Sequence, residues 1–525
     1  MARKIMTTGA VFFLLLWGVS HGATWYVPDD YGTIQGAIDA ALDRDTIVVR
    51  QGTYIENINF IGKAVTLMSE EGPEVTTIDG NKVGSVVRFG SGEGPDSILT
   101  GFRVTNGETT FGGGIYCYGA SPTITRNIIT GNAASLIGAG LYLEKDCATI
   151  MGNTISDNLS DDRGGGIGCN NQSSPRIISN TIANNFANYC GGGITCDDHS
   201  SPQISLNAFV DNETRAFGGA ILSDGGDPVI ASNTMIGNIA GQSGGAIYSH
   251  ESDISCINNM IANNEAHLFG GGIVLDGVSS SALISNTITN NRAEILWGGG
   301  LHFWDGAVAS VSNTIFWNNS ASNGPEISLD LWDLPTTLTI DYCDVTGGQG
   351  SVLVYPGCTV NWGANMIDTD PLFAEPPADD FHLTIDSPCK AAGSLVAGLP
   401  QIDFEGDPRV AQGATDIGAD EFYFHLYHTG TAVPCGNIDV KVVGIPSTNA
   451  MLLQGSGVLD PPWTTPYGLF FLQAPIQLTF LGGIPQNGIL VHSGTIPVVW
   501  APGSEHPFQV LTGGKLTNLM RLVVE

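Results

Sequence analysis

From Gly112 to Asn318, apolar residues come in brief alternating clusters broken by Gly, Asn and Ser-Pro, as in Ile167-Gly-Cys169 and Ile177-Ile-Ser-Asn-Thr-Ile182. Alternation over three to six residues between turn formers is the signature of short strands. The clusters recur in phase. One apolar position falls at Ile129, Ile155, Ile182, Phe209, Met235, Ile261, Ile288 and Ile315, in steps of 26 or 27 residues. Two residues before each stands an asparagine (Asn127, Asn153, Asn180, Asn207, Asn233, Asn259, Asn286, Asn313), and five residues after that asparagine comes another (Asn132, Asn158, Asn185, Asn212, Asn238, Asn264, Asn291, Asn318). A Gly-Gly/Ala-Ile/Leu marker completes each unit, ending at Ile115, Leu141, Ile167, Ile194, Ile221, Ile247, Ile273 and Leu301.

A unit of this length predicts one coil of three short strands and three turns. No coil can bury its own apolar side chains, so stacking must make the core. Strand spacing of about 4.8 Å gives eight coils a rise on the order of 40 Å. Asparagines repeated in register predict side-chain amide ladders along the turns, a structural role. The marker glycines are expected in tight turns with positive φ.

The ends of such a stack need covering. Ile34, Ala37, Ile38, Ala41 and Leu42 share one helical face behind Thr33, so the stretch Thr33–Leu42 is expected to form an N-terminal capping helix with Thr33 as N-cap. Less regular strands are expected near Thr46–Val49, Val65–Leu67, Thr77-Ile78, Val86–Phe89 and Leu99–Phe102. Residues 1–22 read as a signal peptide, with Arg3 and Lys4 before the apolar run Val11–Val19 and small residues at Ser20 and Gly22. That implies a secreted, extracellular or cell-surface protein that meets membrane only through this peptide. The organisation expected is residues 1–22 signal peptide, 23–345 parallel β-helix, 346–422 closing coils, and 423–525 a small antiparallel all-β domain, read from runs such as Asp439-Val-Lys-Val-Val and Leu469-Phe-Phe-Leu.

Of the 525 residues, 19 are Lys or Arg and 51 Asp or Glu, a net charge of -32. So few basic groups exclude nucleic acid as a partner, because phosphate binding and counterion release need them. Ten cysteines show no CxxC or zinc spacing. Cys169 and Cys196 are expected as stacked buried thiols. Cys343 and Cys358, flanking Gly347-Gly-Gln-Gly, are the pair expected to form a disulfide.

The opening Trp25-Tyr-Val-Pro-Asp-Asp-Tyr-Gly-Thr-Ile-Gln-Gly-Ala-Ile-Asp-Ala-Ala and Gly52-Thr-Tyr-Ile-Glu-Asn-Ile-Asn resemble the start of exported bacterial right-handed β-helix proteins of the pectin-lyase-like superfamily. The repeats through Asn318 resemble that superfamily's coils. Asp368-Thr-Asp-Pro-Leu-Phe373, Ser387-Pro-Cys and Asp416-Ile-Gly-Ala-Asp-Glu421 resemble its closing segment. The resemblance implies a right-handed helix and a substrate groove on one strand face. No catalytic set carries over. Gly165-Gly166 and Gly192-Gly193 stand where polygalacturonases carry paired aspartates, the pectinesterase motif is absent, and no arginine falls on the outward positions of the acidic strand, where pectate lyases place a base. Gly218-Gly-Ala-Ile221, Gly244-Gly-Ala-Ile247 and Phe316-Trp-Asn-Asn319 also resemble the repeats of polymorphic outer-membrane adhesins.

If the marker residue and the one two beyond it point inward, the positions one and three beyond it point outward. One outward column is Tyr116, Tyr142, Gly168, Thr195, Leu222, Tyr248, Val274 and His302, and the other Tyr118, Glu144, Asn170, Asp197, Asp224, His250, Asp276 and Trp304. By the resemblance, Tyr116, Tyr118, Tyr142, Tyr248, His302 and Trp304 are the candidate sugar-binding residues. The ionisable cluster Asp197, Asp198, His199, Asp224, His250 and Glu251 admits three readings. It is a solvated face, a Ca²⁺ site centred on Asp197 and Asp224, or a catalytic site of Asp197, Asp198, Asp224 and His250. Two functions follow as expectations: binding of an extracellular polysaccharide, alone or with its cleavage, or a non-catalytic adhesive surface protein that meets a cell-surface component.

Overall fold

The computed structural model describes residues 22–422, apart from 385, 405, 411 and 412, and the backbone pairing of strands between 426 and 523. The signal peptide expected over residues 1–22 falls almost wholly outside the described residues, as do the side chains of the C-terminal domain and Cys435. Among the described residues no helix is long and apolar enough to cross a membrane.

The repeat region is a right-handed parallel β-solenoid. Three long sheets run its length. One of 14 strands starts at Thr24–Val27 and ends at Thr359–Trp362, and two have 12 strands each. Equivalent residues pair directly from coil to coil: Ile124 with Ile150, Ile129 with Ile155, Ile115 with Leu141. All of these are fully buried, so the interior is a set of aliphatic columns, each coil closed by its neighbours. The strands expected in the early coils are present, at Thr46–Val49, Thr66–Ser69, Thr76–Asp79, Val87–Phe89 and Ile98–Thr100.

The structure corrects the three-strand coil. A fourth sheet of eight short strands, from Glu108–Phe111 to Arg292–Ala293, follows the second asparagine column. Its inward position is small throughout (Ala134, Ser160, Ala187, Thr214, Ala240, Ala266, Ala293). Short strands with small residues carry little hydrophobic signal, which is why alternation alone passes over them.

Both asparagine ladders form. Asn158 Nδ2 donates to Asn185 Oδ1 at 3.0 Å and to Ile129 O at 3.0 Å, while Asn158 N donates to the same Asn185 Oδ1 at 3.2 Å. Each amide thus satisfies backbone groups that the turn would leave buried and unpaired. The last member of each series departs from expectation, because the coil there is one residue longer. Asn291 is met by Asn319, at 3.0 Å, and Asn318 lies outside, donating to Asn290 Oδ1. Thr314 receives the Asn286 N–H, and Asn313 turns out to donate to Ser394 O. The inward column likewise continues through Phe316 instead of Ile315.

The marker glycines have two distinct reasons. Gly164 has φ +62, a left-handed turn, as expected. Gly165 does not; a Cβ there would lie 2.6 Å from both Gly192 O and Phe186 O, so close packing of the next coil excludes a side chain.

The helix α1 (Ile34–Ala40) has Thr33 as N-cap, its Oγ1 accepting from Gly36 N at 3.1 Å. Ile34, Ala37 and Ile38 are buried against the first strands. Leu42 lies past the helix end and is exposed, a departure from the single face read in the sequence. Cys169 and Cys196 pair in register as buried thiols. The Cys343–Cys358 disulfide does not form. Thr359 pairs with Thr337, which sets Cys358 beside the strand start, whereas Cys343 lies beyond its end at Asp341. About six residues of strand rise, roughly 20 Å, separate them.

Residues 346–422 begin as further coils, with Val352–Val354 and Thr359–Trp362 in the long sheets. The chain then runs back along the side of the solenoid. Phe381 and Ala419 pack on Met260 and Ala262, and Leu383, Cys389 and Ile417 on Ile315. Arg409, fully buried, donates to Asn258 Oδ1 and to the carbonyls of Gly418 and Ala419. Between 426 and 523 the strands pair antiparallel, for example Asn449–Gln454 with Gln477–Gly483 and with Glu505–Thr512.

Candidate functional site

The 12-stranded sheet that holds the markers carries both outward columns. Asp224 pairs with His250, His250 with Asp276, and Asp276 with Trp304, and Cys196 beside Asp197 pairs with Ser223 beside Asp224. The acids therefore align along one flank, as the repeat predicted. Tyr118, Glu144 and Asn170 continue the column toward the N-terminus.

The first outward column is not open. Tyr142, Thr195, Leu222, Tyr248, Val274 and His302 are buried although they point away from the solenoid core. What covers them is the residue just before each marker glycine. Ile137, Arg163, Cys190, Phe217, Ser243 and Phe269 bridge from coil to coil in a ladder of their own, and their side chains lean across the column. The Phe217 ring lies 4.6 Å from Tyr248, and Phe269 stacks on His302 at 4.7 Å. The result is a second small core outside the solenoid, containing Cys190, Leu222, Tyr248, Phe269 and Val274. His302 is fully buried, its Nδ1 2.8 Å from Ser328 Oγ, and burial pulls its pKa down to about 3. It is a neutral packing residue, so sugar stacking by His302 is corrected. Tyr142 donates to Glu144 and stacks beneath Tyr116, itself half-buried under Arg88; Tyr118 is exposed. Tyr116 and Tyr118 sit three coils from Asp197 and Tyr142 two, about 15 Å and about 10 Å away.

Arg163 is the one cation in the covering column, and its neighbour relations make the centre of the flank. Its Nη1 lies 3.0 Å from Asp197 Oδ1 and 3.9 Å from Asp224 Oδ2, and its guanidinium lies over the Tyr189 ring. Arg163 reaches in from the adjoining turn and not from an outward strand position, so the strand alternation does not mark it. Asp197 is 5% exposed, also accepts from Thr195 Oγ1 at 3.1 Å, and is pushed up to about 6 by burial, against the pull of Arg163. It anchors Arg163 beneath the surface. Asp198 and His199 fall in a left-handed turn, φ +51 and +60, and are exposed, with His199 Nδ1 2.6 Å from Gly225 O. The turn carries them off the flank.

His250 Nδ1 lies 3.1 Å from Asp276 Oδ2, and Tyr248 donates to the same oxygen at 2.6 Å. The bond to Asp276 raises the His250 pKa above its ordinary value, outweighing burial. With Nδ1 held by a carboxylate, Nε2 is left to face outward, the arrangement that lets an imidazole give or take a proton. Asp224 stands beside it on the adjoining strand.

Two adjoining recesses cover this centre. One of about 290 Å³ is lined by Arg163, Tyr189, Phe217, Asp224, His250 and Asp276. The other, about 390 Å³, shares Phe217, Tyr248, His250 and Asp276 and extends to Trp304, Asp305 and Trp332. The calcium expectation does not fit this donor set. The positive charge between Asp197 and Asp224 is the Arg163 guanidinium, and among the described residues no three His, Cys, Asp or Glu side chains converge as a metal cluster.

Parallel coils stacked without interruption and amide ladders along the turns define a right-handed parallel β-helix protein of the pectin-lyase-like kind. The profile of the family described as the right handed beta helix region matches residues 72–235 and 217–367, more than half of the chain, and the protein belongs to that family. A solved structure similar to it is the enzymatically active domain of tailspike protein 4 of bacteriophage CBA120, with 9% identity over 91% of this chain and 64% of that one, at a TM-score of 0.21. The chain thus spans less than two thirds of that structure's length. No curated protein matches it.

Proposed function

We propose that this protein binds an extracellular polysaccharide lengthwise along the marker-sheet flank and cleaves it at the Asp224–His250 centre. The observation that carries the reading is the pair of adjoining recesses. They form one open trough with aromatic walls and a single set of facing ionisable groups, which suits a chain passing across several coils. In this reading His250, held by Asp276, protonates the leaving glycosidic oxygen. Asp224 takes a proton from the attacking water, or attacks the sugar carbon itself. Asp197 and Arg163 act from behind: the guanidinium, anchored by Asp197, lies beside Asp224 and fixes the position of its carboxylate. Tyr189 and Trp304 offer faces to sugar rings.

Incubation with a panel of polysaccharides, read both for new reducing ends and for unsaturated products, tests this directly. Cleavage of at least one glycan is expected, with turnover falling at least ~100-fold in Asp224→Asn and in His250→Gln while binding persists, the size of effect general acid–base catalysis supplies. Turnover unchanged in both variants removes them from the mechanism. A second reading, a non-catalytic adhesive surface protein, draws on the finding that Tyr142, Tyr248 and His302 serve packing. Binding without any product across the panel would favour it.

A further inference from the structure

The recesses hold three carboxylates, Asp224, Asp276 and Asp305, against one arginine. Arg163 is already committed to Asp197 and Asp224. His250 is committed to Asp276. No cation among the lining residues is left over for a negatively charged ligand, and the chain as a whole carries -32.

The outer wall of the larger recess has a feature that no repeat column contains. Trp332 is 74% exposed, yet it lines the recess together with Trp304. The turn that presents it is pinned. Asp305 Oδ1 accepts from Asp333 N and from Leu334 N, both at 2.9 Å, and these bonds hold the Asp305 pKa below its ordinary value. A large apolar side chain held out into solvent on a fixed turn, beside acceptor-rich walls, is what an uncharged sugar needs. The ring face gives a stacking surface for C–H groups, and carboxylates accept hydrogen bonds from hydroxyls.

We infer that the trough takes an uncharged glycan and disfavours polyuronates, and that Trp332 is the aromatic on which a sugar ring stacks next to His250. This rests on the polysaccharide reading above and narrows it. A uronate would place one carboxylate per ring against Asp224, Asp276 and Asp305 with no free counter-charge.

Calorimetric titration of the full chain with neutral hexasaccharides (gluco-, manno- and xylo-configured) and with oligogalacturonate and oligoalginate, each with and without 2 mM-scale CaCl₂, separates the outcomes. At least one neutral series is expected to bind at least ~10-fold more tightly than either uronate, with the gap narrowing at high salt as screening weakens repulsion. Trp332→Ala is expected to lower neutral-glycan affinity at least ~10-fold with an unchanged melting temperature, since its side chain is 74% exposed. Uronate binding equal to or tighter than neutral binding, with or without calcium, overturns the inference and leaves the polysaccharide reading standing. Unchanged affinity in Trp332→Ala overturns the stacking assignment. Binding of neither class overturns both.

Discussion

The Arg163 guanidinium lies 3.0 Å from Asp197, although the two belong to different coils. One comes from the turn before a marker glycine and the other from the end of the next coil's strand. Their pairing sets the charge balance of the flank. It leaves Asp224 beside a cation and Asp197 buried, with its other carboxylate oxygen unpartnered.

Removal of that cation should be felt as stability with a defined pH dependence. Burial raises the folded Asp197 pKa to about 6 from 3.8, so the folded state binds the more protons between these values and this group's contribution falls as pH rises through that window. Arg163→Met takes away the partner that limits the penalty. Its denaturation midpoint is expected to fall by the equivalent of ~2 kcal/mol at pH 7, and by much less at pH 4, where Asp197 is protonated. Equal losses at both pH values would contradict the pairing.

His302 gives the opposite sign. Its folded pKa is depressed to about 3 from 6.5, so it favours the folded state above pH 6.5 and that contribution is lost as pH falls toward 3. Thermal melts of His302→Leu are expected to show a shallower loss of stability between pH 6.5 and pH 4 than the parent chain. The substitution should leave glycan binding unaltered, because the ring is packed under Phe269.

The one-residue shift at the end of the asparagine ladder separates two neighbours. Asn319 closes the column, accepting from Asn291 and donating to Ile288 O at 2.8 Å and to Glu326 at 2.6 Å. Asn319→Ala should cost ~2–3 kcal/mol by leaving buried groups unpaired. Asn318→Ala, on the outside of the same turn, should cost less than ~0.5 kcal/mol. Similar effects of the two would place the ladder in the wrong register.

Thiol accessibility checks the packing of the coils. Cys147 is exposed, Cys358 partly so, and Cys117, Cys169, Cys190, Cys196, Cys256, Cys343 and Cys389 are buried. Alkylation of the native protein should modify Cys147 first, and the buried set only on unfolding, without prior reduction. A Cys343–Cys358 bridged peptide in a non-reducing digest would refute the strand geometry that separates them.

How much of this was open to sequence reading depends on what each residue answers to. The columns of Ile129, Asn127 and Asn132 were legible because in-register stacking makes every coil meet its own copy, and like must tolerate like. A repeat therefore prints its fold into the chain. The fourth strand was legible in principle, through the small residue two places after each second asparagine, but small side chains barely register as a hydrophobic pattern. The alignment of Asp197, Asp224 and Asp276 followed from the repeat too.

Which outward residues stay open was decided by the tertiary structure alone. Tyr248 and His302 lie under the side chains that lean in from the turn, whereas Trp304, in the other outward column, stays partly exposed; that cover depends on side-chain size and direction at Phe217 and Phe269, which no period encodes. The place of Arg163 between two carboxylates, and of Trp332 on a turn tied to Asp305, arose the same way. The sequence by itself determined the stack, because stacking energy repeats with the chain. The site came from single, unrepeated side chains meeting laterally, and only the folded coils bring those together.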